Sequence, residues 1–159
     1  MPEVISNTSP FQYLHQLGQL QLLAEFYGRV LVPQAVVDEL QAGLREGVSL
    51  PIVTDLPWVR LERLSVSPWP LPRDIHRGEA EVLALAARYP GSLLLIDDRA
   101  ARLHARAMGL RITGTAGVLL RAKREGRIGA VRPLLARLEG LGFHLAESTV
   151  GNILRLAGE

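Results

Sequence analysis

The spacing of apolar positions changes period repeatedly along the chain, and each change marks an element. Residues 4–6 read as a short first strand, halted by the small polar run of ISNTSP. Pro10 then stands in the first turn of a helix, where its missing N–H costs nothing. Leu14 and Leu17 continue that helix's inner face until Gly18 breaks it. Residues 20–27 give a second short helix ended by Gly28, and residues 30–32 a second strand. Pro33 opens a third helix carrying Val36, Val37, Leu40 and Leu44 at helical spacing. From 45 to 73 the chain is irregular and proline-rich, with one strand-like piece at 58–64. Its SVSPWPLPRD stretch reads as a loop, since neither side alone can bury a core.

A long helix over 78–89 follows. SLLLIDD is a continuous apolar run ending in two aspartates, the pattern of a central parallel strand buried on both faces. Residues 99–108 form a further helix closed by Gly109, 110–113 a strand, and 115–124 a helix ended by Gly126. The tail gives two more helices, 131–141 and 147–156, with a short piece at 143–145 between them. Strands alternating with helices imply right-handed crossovers, hence an α/β fold with a parallel sheet and helices on both faces. The whole of 1–159 reads as one domain without internal repeats.

Composition narrows the chemistry. With 48% hydrophobic and 21% charged residues, the chain suits a globular core. It has no cysteine, which excludes disulfides and thiolate metal sites. No apolar run approaches the ~20 residues of a membrane span, and the start lacks a signal peptide's regions, so a cytoplasmic location is expected. Net charge is only +2, yet the positive charge is nearly all arginine, Lys123 being the sole lysine. Arginine suits bidentate phosphate contacts, which keeps a modest basic face for nucleic acid in view.

The acids matter by position. Asp97 and Asp98 end the most apolar strand. Glu79 and Glu81 open the helix before it, and Asp38 and Glu39 lie in the helix after the second strand. Asn7 ends the first strand. In a doubly wound sheet, carboxyl strand ends and helix amino termini share one edge, so residues this scattered can meet in one cleft. Packed carboxylates repel unless a cation compensates, and an oxygen-only donor set favours Mg²⁺ or Mn²⁺ over Zn²⁺. Such an ion can ligate a scissile phosphate and activate water. Each acid also has a plain alternative. Glu79 and Glu81 suit a helix start through the macrodipole. Asp98 can cap the next helix, and Asp38 and Glu39 can be simply one solvated and one half-buried helix position.

The ordered set ISNTSP, LVPQAVVDEL, GEAEVLALA, LLLIDDRAAR and GLRITGTAGVLLRAKREGRI resembles PIN-domain proteins over nearly the whole chain. The resemblance is to a VapC-like branch long described only as a domain of unknown function. It implies a Rossmann-like, three-layer sandwich with four or five parallel strands and an acidic cluster binding Mg²⁺ or Mn²⁺. It also implies a metal-dependent ribonuclease, a toxin with a small antitoxin partner, and a homodimer. The family's first-strand acid falls on Asn7, its helix acid on Glu39, and the acid of the later helix on Glu79. The strand-end acid falls on Asp97 or Asp98, with Asp97 preferred by its spacing from Glu79. Glu81 is an additional candidate ligand. Asn7 departs from the family's aspartate: an amide oxygen can ligate a hard cation but brings no charge. Ser6, Thr8 and Ser9 can donate hydrogen bonds beside it, orienting a ligand or capping the next helix.

Other chemistry finds little support. His15, His76, His104 and His144 lack metal-ligand spacing, and no Gly-x-Ser-x-Gly elbow is present. The glycines of TGTAGV follow neither dinucleotide nor P-loop fingerprints, which leaves Thr113 and Thr115 to line the cleft or shape a turn. Trp58 and Trp69 can stack bases, although anchoring of core or loop is the expected role. Two readings compete with a ribonuclease: a weakened PIN module that binds RNA or a protein, and an unrelated Rossmann-like domain for a small ligand.

Overall fold

The computed structural model describes residues 2–64 and 73–159. Trp69 and most of SVSPWPLPRD lie outside these residues. Five parallel strands form one sheet in the order β3-β2-β1-β4-β5. They are β1 (Val4–Ser6), β2 (Val30–Pro33), β3 (Val59–Glu62), β4 (Leu93–Leu95) and β5 (Arg111–Thr113). The helices are α1 (Thr8–Gln16), α2 (Gln21–Tyr27), α3 (Gln34–Arg45), α4 (Arg77–Arg88), α5 (Arg99–Ala107), α6 (Thr115–Arg124), α7 (Arg132–Gly140) and α8 (Glu147–Leu156). A 3-10 turn at Val53–Asp55 precedes β3. This is the α/β architecture expected, with helices on both faces of a sheet at the upper end of the expected strand number.

Two readings shift in detail. The central strand is β1, and SLLLIDD supplies its neighbour β4, still hydrogen-bonded on both sides. Pro33 does not open α3. It ends β2 in an extended conformation (φ −76°, ψ 162°), and the helix begins one residue later. Proline suits that junction because it is compatible with extended backbone and has no N–H to leave unpaired.

Chain order crosses over at β1. The chain runs from β1 outward through β2 to β3, then returns to the far side of β1 for β4 and β5. That makes the β1/β4 junction the switch point of the sheet, where open α/β sheets leave a crevice at their carboxyl edge. Register aligns the edge: Ser6 pairs with Leu95, and Leu95 with Thr113. Two backbone bonds carry the ladder one step further, from Asn7 N–H to the Leu95 carbonyl (3.0 Å) and from Ile96 N–H to the Thr113 carbonyl (2.9 Å). Asn7, Ile96 and Gly114 therefore leave the sheet side by side, with Asp97 one residue beyond Ile96.

The core explains why α4 can carry an acid inward. Val4, Ile5, Leu31, Leu94 and Leu95 are closed off from solvent, and α4 lies against β1, β2 and β4 while touching α3 and α5. Ala80, Ala84 and Ala86 keep its surface shallow enough for that approach, and every residue from Gly78 to Ala86 except Glu81 is buried. Trp58 stacks on Phe11 with ring centroids 6.1 Å apart, so it anchors the core rather than offering a free platform.

Helix ends are tied by side chains from distant elements. Arg137 of α7 donates to the carbonyls of Gln16 and Leu17 at the end of α1. Glu159 accepts from the N–H groups of Val131 (2.6 Å) and Arg132 (3.1 Å) at the start of α7, supplying the cap that Val131 cannot. Those bonds, Val131 first, hold the Glu159 carboxyl below its ordinary value. Because its folded pKa is depressed, the stabilisation is complete above the reference value of 4.5 and disappears as pH falls through the lower folded value. We expect Glu159→Ala to lower the urea midpoint at pH 7, and the gap from the native chain to close towards pH 3.

Candidate active site

Three elements converge at the switch point. β1 delivers Asn7, α3 delivers Glu39, and the first turn of α4 delivers Gly78 and Glu79. A Cβ added to Gly78 would stand 2.5 Å from Glu39 Oε1 and 3.1 Å from Asn7 Oδ1. Both oxygens thus face the same bare backbone, and only glycine leaves that space open. Thr8 donates its hydroxyl to Glu39 Oε2, which holds the carboxylate with its other oxygen turned towards Gly78.

Asn7 is 3% exposed, and its Oδ1 has no hydrogen-bond partner among the described residues. A buried amide oxygen without a donor costs about 1–3 kcal/mol, a cost retained where the group has another task. Its neighbour Ser6 donates to the Asn7 carbonyl (2.9 Å), which fixes the backbone rather than the amide. Glu79 is 8% exposed. Its carboxyl is pushed above the ordinary value first by burial, then by the charges of Glu39 and Asp98, while its own backbone N–H and His76 act the other way. Glu39, Glu79 and Asp98 thus share one electrostatic neighbourhood.

The two adjacent aspartates cap different helices. Asp98 caps α5, one oxygen accepting from Ala101 N–H (3.0 Å). Asp97 is bound through both oxygens to Thr115, from the backbone N–H (2.7 Å) and the hydroxyl (2.7 Å). It thereby caps α6, whose preceding Gly114 has no side chain to do so. Burial raises the Asp97 carboxyl, opposed by the two Thr115 bonds and by Arg102. Glu81 has a third location. One oxygen accepts from Ala35 N–H (3.2 Å) at the uncapped start of α3, and the other pairs with Arg77 (2.9 Å). Thr113 places its hydroxyl 2.3 Å from where a Cβ of Gly117 would stand, packing against the turn into α6.

Of the residues expected to meet, the structure brings together Asn7, Glu39 and Glu79 with Asp98 beside them. Helix capping occupies both oxygens of Asp97, through Thr115, one oxygen of Asp98 and one of Glu81. Among the described residues, no three His, Asp or Glu side chains stand close enough to hold a cation by themselves. The donor set still fits a hard divalent ion: carboxylate oxygens, an orphaned buried amide oxygen, and a gap kept open by glycine. The sequence reading takes Gly78 only as the start of a helix. Its signal is that glycine is a poor helix former, and here it stands in the first turn directly before a candidate acid. The same reading passes over the face formed by Arg99, Arg102 and Arg106, whose spacing of three and four is visible in the chain.

The comparisons with known proteins agree with this architecture. A PIN-domain family model, DUF3368, matches residues 3–159. Among solved structures, the fold is similar to a PilT N-terminus domain protein from the hyperthermophilic archaeon Sulfolobus solfataricus P2. The TM-score is 0.57 at 17% identity, covering 75% of this chain and 92% of that one. No curated protein matches the chain in sequence. Among the described residues, no helix is long and apolar enough to cross a membrane. PIN domains are generally nucleases and typically use divalent metal ions. With a match running from residue 3 to residue 159 and a five-stranded parallel sheet of the same kind, this chain belongs to the PIN-domain family.

Proposed function

We propose that the protein is a Mg²⁺- or Mn²⁺-dependent ribonuclease. The observation that carries this reading is the buried Asn7 Oδ1, without a hydrogen-bond partner among the described residues, facing Glu39 across Gly78, with Glu79 in the next position of α4. Glu39, Glu79 and Asp98 would hold the ion, with the Asn7 amide oxygen as a neutral donor. When bound, it supplies Lewis-acid stabilisation of a phosphodiester and a more acidic water. The chain's own side chains set the frame. Thr8 fixes Glu39, the amino end of α4 favours the Glu79 carboxylate, and the Ala101 N–H orients Asp98. Asp97 acts by positioning, since its two bonds to Thr115 hold α6 against the strand end.

Cleavage of a labelled RNA with Mn²⁺ and with EDTA, beside Asp97→Asn and Asp98→Asn, tests the reading. Asn is itself a good helix cap, so Asp98→Asn removes charge with little change at α5. We expect EDTA to stop cleavage, Asp98→Asn to slow it by more than about tenfold, and Asp97→Asn to be the milder of the two. Activity that persists in EDTA and is indifferent to Asp98→Asn would sink the proposal. The reverse ranking of the two variants would move the acid to Asp97. A toxin role with an antitoxin partner, and a homodimer, extend the same proposal.

A second reading has its own observation. The amide at position 7 leaves the site one charge short of the usual PIN pattern, which suits a module that binds RNA or a protein without cutting. Asn7→Asp separates the two readings.

A further inference from the structure

A second concavity, of about 530 Å³, opens on the other side of the Asp97–Asp98 pair. One wall is the face of α5 that carries Arg99, Arg102 and Arg106, together with Asp97 at the strand end. The floor is apolar, made by Ile112 of β5, Phe143 and Leu145 of the loop before α8, and Ile153 of α8. The volume lies within the range of pockets that take a small organic ligand.

The charges here are unbalanced. Three guanidinium groups face one carboxylate, and that carboxylate is already engaged at both oxygens by Thr115. Among the described residues, none of the three arginines forms an ion pair, whereas Arg29, Arg60, Arg77, Arg121 and Arg127 all do. Arg102 is held inward by its bond to the Ile96 carbonyl (2.9 Å), so its position is set before any ligand arrives. Burial, and then the neighbouring Arg106, push Arg102 below its ordinary value, with Asp97 opposing. Like charges kept together beside an apolar floor are relieved by an anion that also carries a flat ring.

We propose that this pocket binds one nucleotide of the RNA strand, its phosphate on Arg99, Arg102 and Arg106 and its base on Ile112, Phe143, Leu145 and Ile153. The strand assignment rests on the ribonuclease reading, because Asp97 lines the pocket while Asp98 faces the acidic site. A scissile phosphate at Glu79 would then place an adjoining nucleotide here. Planar forks suit a phosphate bidentately, which is why arginine rather than lysine serves at this wall.

Binding is measured without metal, so the pocket is tested apart from cleavage. The full chain is titrated calorimetrically in EDTA with adenosine 5′-monophosphate, adenosine and inorganic phosphate. We expect the monophosphate to bind at least about tenfold more tightly than either fragment, and Arg99→Ala/Arg106→Ala to weaken it about tenfold or more. Ile153→Glu, at a half-exposed position of α8, should abolish binding, and Arg111→Ala, outside the pocket, should leave it unchanged. In RNA cleavage, the double arginine variant should raise KM while leaving kcat within about twofold. Cleavage by a native protein that binds no monophosphate would overturn the pocket and spare the nuclease. Monophosphate binding with no cleavage would support the pocket and overturn the nuclease. Phosphate binding as tightly as the monophosphate, or a double arginine variant of native affinity, would overturn the pocket.

Discussion

We expect Glu79→Gln to raise the thermal midpoint of the metal-free protein and, under the proposed function, to abolish stabilisation by Mn²⁺. The two effects have one cause. Burial, with Glu39 and Asp98 nearby, lifts the Glu79 carboxyl above its reference value of 4.5. An acid whose folded pKa is raised binds its proton more tightly in the folded state, so ionisation subtracts stability as pH rises through that value. At pH 7 the native chain carries this burden and a glutamine does not. With excess Mn²⁺ the order should reverse. A ligand that binds only the folded state adds about 2.7 kcal/mol at a hundred times its dissociation constant, and the variant forgoes that gain. Cleavage should fall by more than about 100-fold, since even the hydrogen-bond partners of a metal ligand are worth 10–100-fold. Thermal scans at pH 5 and pH 8, with EDTA and with Mn²⁺, give the comparison. The native chain in EDTA should gain on the variant at the lower pH, where Glu79 is more nearly neutral. A variant less stable than the native chain in EDTA at both pH values would refute the account of Glu79.

Asn7→Asp has the opposite signature. It puts a charge where Oδ1 now lies buried and unpartnered, facing the same glycine as Glu39. Without metal the new carboxylate meets burial and a like charge together, so the protein should lose stability. With Mn²⁺ it should bind the ion at least about tenfold more tightly. A unit charge at 4 Å is worth about 4 kcal/mol at an effective dielectric of 20, and desolvation returns only part of that. If the native chain is a slow nuclease, cleavage rises with affinity. If it binds RNA without cutting, cleavage appears where there was none. Metal affinity unchanged by the substitution would show that position 7 is no part of a cation site.

The elements were legible because the chain punctuates them. Gly18, Gly28, Gly109 and Gly126 follow helices and adopt φ of 71°, 71°, 71° and 70°, a left-handed conformation that glycine enters without steric cost. Sheet order was not legible, because SLLLIDD is apolar enough for any interior strand and only pairing shows that VIS lies at the centre. The site was legible to the level of which residues leave the carboxyl edge. It was not legible to the level of which direction they face. Asp97 and Asp98 are neighbours with the same chemistry, and what separates them is Thr115, which reaches Asp97 from across a helix and a strand. The capping of α3 by Glu81, contributed from 46 residues away, has no local signature either.

If the proposed function holds, Gly78 sets how this chain would lose its activity. Ordinarily a dead enzyme is recognised by a missing acid, and a descendant of this chain that kept Glu39, Glu79 and Asp98 would pass that inspection. One methyl at position 78 would nonetheless stand 2.5 Å from the Glu39 oxygen and claim the volume a cation needs. The capacity of the site is set by an emptiness as much as by its ligands, so a catalogue of its chemical groups would count such a protein as intact.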